Sequence, residues 1–145
     1  MKSRPPFVRY LCHMAETLAL AHEASREERY EALSTRWAAL LGAESNRMAN
    51  LANTAAVLKE AFDWHWVGFY LVDAYRDELV LGPFQGPLAC TRLHHGKGVC
   101  AAAWDTASVQ VVPDVRKFDG HVACSSLTES ELVIPIVVAD LVVSV

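Results

Sequence analysis

Three cysteines, Cys90, Cys100 and Cys124, fall within residues 81–131, each close to glycine or proline. The thiolate is the nucleophilic form of cysteine, and a second thiol within reach can close a disulfide on the first. This grouping predicts redox chemistry, with one nucleophilic cysteine and one or more resolving partners. Cys124 lies in the run Gly120-His121-Val122-Ala123-Cys124-Ser125-Ser126. A polar loop beside a histidine, with backbone N–H groups free to turn inward, lowers a thiol pKa from about 8.5 by about one unit or more. Cys100 follows Gly96-Lys97-Gly98 at the start of a predicted helix, whose positive end also favours a thiolate. Cys90 follows the Gly86-Pro87 turn. Taken alone, Cys124 reads first as an inert half-buried cysteine; the company of the other two gives the redox reading its weight.

Other chemistries fit less well. His94, His95 and His121 stand near these cysteines, but structural zinc sites draw ligands from close pairs such as C-x2-C or H-x3-H, and no such pair joins Cys90, Cys100 and Cys124. Gly96-Lys97-Gly98 lacks the G-x-x-x-x-G-K-[ST] spacing of a phosphate loop. Glu131 precedes an apolar strand; it reads either as a solvated strand entrance or as an acid or ammonium-binding group facing the cysteine loop. Trp66 and Tyr70 alternate with Gly68 on one strand face. They read as core aromatics, or as the wall of a pocket for a methyl-sulfur group, which packs well on aromatic rings.

The elements that must position these residues follow from periodicity. Apolar residues at three- and four-residue steps predict helices over residues 7–24, 28–41 and 44–62, with Gly42 stopping the second. Cys12 falls on the first of these and reads as a small buried apolar residue. Residues 66–72 and 78–81 predict a β-hairpin ended by Gly82-Pro83. A short strand over 88–93, an alanine-rich helix over 99–107 and a strand over 109–112 follow. A long ordered loop covers 114–130, with strands over 132–138 and 141–145 beyond it. Helices first, then an antiparallel sheet with one inserted helix, give an α+β domain. A loop as long as 114–130 inside a compact domain points to use rather than connection.

The 145 residues make one domain with a proper core, and the net charge is −4. Lys and Arg are scattered rather than striped, which excludes a nucleic-acid footprint. The run 132–145 is interrupted by Pro135 and Asp140 and is too short to span a bilayer, so no membrane association is expected. His13 and Glu16 break what would otherwise resemble a signal sequence. The expected compartment is the cytoplasm, where thiols are reduced by default and a disulfide is transient and catalytic.

The segments WVGFYL, LVLGPFQG, ACTRL, GKGVC, VPDV, FDGHVACSS and SELVIP, in this order, resemble the free methionine-(R)-sulfoxide reductases, which are single GAF domains. The resemblance starts near Tyr30 and runs to Val145. It implies a GAF domain over 28–145; residues 1–27 lie outside it and form an N-terminal extension that their apolar periodicity predicts to be helical. It also implies that Cys124 attacks the sulfur of free methionine-(R)-sulfoxide and becomes a sulfenic acid. Cys90, or Cys100 in its place, then condenses with it to a disulfide that thioredoxin reduces; no cofactor is implied. Trp66 and Tyr70 match aromatics around the substrate's methyl end, Glu131 matches an acidic pocket residue, and a fully enclosed pocket would confine the enzyme to the free amino acid. A homodimer is compatible with the resemblance. In the family, the strand matching 141–145 continues into a Leu-Asp-Ile-Asp-Ser segment, whose aspartates help bind substrate, and then a helix. The expectation here is a domain whose last strand is incomplete and whose C-terminal helix is absent.

Overall fold

A computed structural model describes residues 24–122 and 124–145. The predicted first helix and Cys12 lie outside the described residues. Helix α1 (Arg26–Ala43) opens on a capping box: the Glu28 N–H donates to Ser25 Oγ at 3.2 Å, and the Ser25 N–H donates to Glu28 Oε2 at 2.7 Å. It runs through Gly42, contrary to the expected stop, because a glycine ends a helix by taking a left-handed φ and Gly42 does not. Helix α2 (Arg47–Phe62) is capped by Asn46, which accepts from the Met48 and Ala49 N–H groups, and Asp63 ends it at φ 49°. The face that α2 buries carries Thr54, Ala55 and Ala61, whereas Met48 is exposed despite its place on the predicted stripe. Leu33 and Ala61 seal the α1–α2 contact with Trp37, Val57, Leu58 and Phe62, and the Trp37 indole donates to Thr54 Oγ1 at 2.9 Å.

The main sheet is antiparallel, ordered β3-β2-β1-β7-β6. Its strands are β1 (Val67–Asp73), β2 (Glu78–Gln85), β3 (Arg92–Leu93), β6 (Ile136–Val138) and β7 (Leu141–Ser144). Strand β2 runs through Gly82-Pro83, which were expected to end it. Gly68 pairs with Phe84 and Tyr70 with Leu81, so Gly82 and Pro83 together oppose Phe69 in a bulge. The pairing with β3 involves only Leu79 and Val80, so the missing N–H of Pro83 breaks no ladder bond. Gly68 is required here, because a Cβ at that position would overlap the Phe84 side chain.

Helix α3 (Gly98–Thr106) follows β3, and a second, two-stranded sheet joins β4 (Gln110–Val112) to β5 (Glu131–Val133). The single strand expected over 132–138 is therefore two strands in two sheets, divided at Pro135. Apart from the α1–α2 contact, the core is a cluster of Tyr70, Leu79, Leu93, Val99, Ala103, Val112, Val115, Val133 and Val145. Burying such side chains contributes about 25 cal/mol per Å² of apolar surface. The loop after β4 is held rather than free. A 3₁₀ turn (Val115–Lys117) is capped by Asp114, and the Val115 N–H donates to the Glu129 carbonyl at 2.9 Å.

Candidate active site

Tyr70 sits near the middle of β1 with 4% of its surface exposed, and its backbone is fixed from the neighbouring strand. It exchanges N–H···O bonds of 2.8 and 2.9 Å with Val145, and Ser144 Oγ donates to its carbonyl at 2.8 Å. The phenol donates to the Cys90 carbonyl at 2.8 Å, tying the β2–β3 loop to the floor of a cavity of about 650 Å³. Cys90 is bonded through sulfur to Cys124 across a Cα–Cα distance of 5.5 Å, within the ordinary disulfide range. Trp66, at the entrance of β1, stacks on Tyr70 at 6.1 Å and on Phe84 at 5.6 Å between ring centroids. Its indole Nε1 is buried and has no hydrogen-bond partner among the described residues. Phe84 escaped the sequence reading, though its hairpin position opposite Gly68 is the signal that would have found it.

The same cavity is lined by Cys100 and Glu131. Gly98 begins α3 at φ +82°, where its N–H donates to the Gly120 carbonyl at 2.9 Å. A side chain there would also press on Val122 at 3.3 Å. The close approach docks the first turn of α3, and so Cys100, against the loop that carries Cys124. Cys100 is a free thiol, and the expectation of a thiolate there is corrected. Burial, then the charge of Glu131, pushes its pKa up to about 12, outweighing the positive end of a short helix. Burial likewise raises Tyr70 to about 12, with Cys100 and Glu131 adding to it.

His121 does not serve Cys124 as its place in the sequence suggested. Its Nε2 lies 3.3 Å from Glu131 Oε1 in a partly buried pair. Another histidine reaches the cysteine loop instead: His65 Nε2 is 3.5 Å from Ser125 Oγ, and both residues line the cavity. Nor is the cavity enclosed by the described residues. Exposed Leu88, Leu127 and Cys124 line it, so it opens to solvent beside the disulfide. Among the described residues no group of three His, Cys, Asp or Glu side chains could hold a metal ion, and no helix is long and apolar enough to cross a membrane.

The chain is 44% identical over 122 residues to the free methionine-R-sulfoxide reductase of Escherichia coli, covering 83% of this chain and 73% of that one. It belongs to the free methionine-R-sulfoxide reductase family. The crystal structure of the Neisseria meningitidis reductase in complex with its substrate superimposes with a TM-score of 0.81 at 50% identity, over 87% of this chain and 76% of that one. A Dictyostelium discoideum protein named GAF domain-containing protein A is 55% identical over 123 residues, 85% of this chain and 77% of that one. The reductase fold seen here is that of a GAF domain, an α+β domain with an antiparallel sheet. No protein-family model matches the chain.

Proposed function

We propose that this protein reduces free L-methionine-(R)-sulfoxide to methionine. The observation that carries the reading is the Cys90–Cys124 disulfide at the mouth of a cavity walled by Trp66 and Tyr70, in a member of this family. The Cys124 thiolate attacks the sulfoxide sulfur, the oxygen passes to Cys124 as a sulfenic acid, and methionine leaves. The Cys90 thiol then attacks that sulfenic acid, forming the disulfide and releasing water; Cys100 is the alternative resolving thiol. A dithiol protein of the thioredoxin class restores both thiols and is itself oxidised to a disulfide.

Trp66 and Tyr70 pack against the methyl-sulfur end of the substrate. Glu131 supplies a proton to the sulfoxide oxygen or holds the ammonium group. The chemistry requires a reducing compartment, so we place the protein in the cytoplasm. Residues 28–145 form the GAF domain, with 1–27 as an extension to it.

The test is a single turnover. Fully reduced protein is mixed with one equivalent of the R sulfoxide, and methionine and the protein mass are followed together. One methionine and a loss of two hydrogens per chain, mapped to a Cys90–Cys124 peptide pair, are expected. With Cys90→Ser and Cys100→Ser combined, the sulfenic acid should persist and react with dimedone. No methionine release from the reduced wild-type protein would overturn the reading.

A further inference from the structure

His121, the hydrogen-bond partner of Glu131, has no part in the reductase chemistry described above. Glu131 opens β5, where its backbone pairs with Val112, and its carboxylate lines the cavity close enough to raise the pKa of both Cys100 and Tyr70. A glutamate at that place has three side-chain torsions to fix, and strand pairing fixes none of them. Among the described residues its carboxylate makes one side-chain hydrogen bond, to His121. Oε1 takes that contact and Oε2 accepts from no described residue.

His121 is fixed from a different direction. Gly120 turns the chain at φ +71°, and the His121 N–H donates to the Phe118 carbonyl at 3.2 Å, closing the turn that follows the 3₁₀ segment. The neighbouring residue Val122 packs against the core, and the Gly120 carbonyl accepts from Gly98 at the start of α3. The imidazole thus projects from a loop anchored at several points, with 15% of its side chain exposed against 25% for Glu131. With the imidazole proton on Nε2, the ring donates to Glu131 Oε1 and leaves Oε2 free.

We propose that His121 is a positioning residue for the sulfoxide reduction: its Nε2 holds Glu131 Oε1, fixing the carboxylate so that Oε2 is presented to the substrate. The proposal rests on the reductase reading and goes beyond it, since His121 lies outside the cavity lining and acts through Glu131. It explains why a histidine three residues before Cys124 turns away from that cysteine. A group displaced by about 1 Å loses about 100-fold in rate, so a partly buried tether can matter that much.

The experiment is a double-mutant cycle on the full chain, with free methionine-(R)-sulfoxide as substrate and thioredoxin as reductant. The variants are His121→Leu, His121→Gln, Glu131→Gln and the pair His121→Leu with Glu131→Gln, each checked for folding by circular dichroism. His121→Leu should lower kcat by about 10- to 100-fold with KM changed less than about threefold. His121→Gln, which keeps an N–H donor, should recover at least about a third of the wild-type kcat. On the Glu131→Gln background, His121→Leu should cost less than about threefold, because the partner it positions is already altered. Should His121→Leu fail to fold, the ¹⁵N shift of the His121 ring carries the test: it should mark Nε2 as protonated in the wild type and should move in Glu131→Gln. An active wild type whose two losses multiply, or whose ring shift ignores Glu131, overturns the proposal alone. A wild type without turnover removes the reductase reading and the proposal together.

Discussion

Cys100 and Cys124 approach the same cavity under opposite conditions. Cys100 occupies the first turn of a helix, the place where local electrostatics favours a thiolate, yet burial and Glu131 hold it protonated. Cys124 belongs to no helix or strand, is exposed, and is the sulfur that Cys90 has captured. Desolvation is what separates them. A helix end is worth about 0.3–1 kcal/mol to a charge, whereas three pKa units correspond to about 4 kcal/mol. The thiol at the solvent edge is free to react and to be reduced again, and the one inside is locked as a neutral group of the cavity floor.

The contrast can be broken most directly by deleting each sulfur. Cys124→Ser should reduce turnover by at least about 1000-fold, whereas Cys100→Ser should cost less than about tenfold, measured as methionine formed with thioredoxin. Equal losses would break the distinction. Next in size is labelling: in the reduced protein at pH 8, iodoacetamide should modify Cys124 at least about 100-fold faster than Cys100, read by peptide mass spectrometry, since only thiolates react.

A third effect concerns stability. Cys100 rises from 9.0 and Tyr70 from 10.0, both to about 12, so the fold favours their neutral forms. Their contribution is complete below pH 9 and is lost as pH climbs from 9 towards about 12. Denaturation by urea should therefore show a loss of about 3 kcal/mol between pH 8 and pH 10.5, most of it from Cys100. Cys100→Ser should flatten that slope, because serine does not titrate there. The smallest effect sharpens the cause. Glu131→Gln removes the second contributor after burial, so Cys100 labelling at pH 9 should quicken by about threefold, and a larger change would make the carboxylate rather than desolvation the dominant cause.

Much of the scaffold was legible before folding. The helical periodicity over 28–41 and 44–62, the hairpin alternation around Trp66, Gly68 and Tyr70, and the turn residues near each cysteine act over a few positions, which is where sequence signals are strong; the caps Ser25 and Asn46 emerged only in the structure. The failures also have short physical causes. Gly82-Pro83 reads as a stop only if the proline lies in a paired ladder, and a bulge beyond the reach of β3 removes that condition. The run 132–138 reads as one strand until Pro135 divides it between two sheets. At the site, Trp66, Tyr70, Cys90, Cys100, Cys124 and Glu131 were all legible as residue types. Phe84 behind Trp66, Ser125 facing His65, and the turn of His121 towards Glu131 were not.

By itself the sequence determined the inventory: which thiols, aromatics and carboxylate exist, which short elements carry them, and the family they mark. The tertiary structure alone decided how each behaves. Which two sulfurs meet depends on the β2–β3 loop being tied down by Tyr70, across 20 positions of chain. Whether a thiol at a helix start ionises depends on what covers it and on a carboxylate 31 residues away in sequence, and desolvation and Coulomb energies follow distance in space, not distance along the chain.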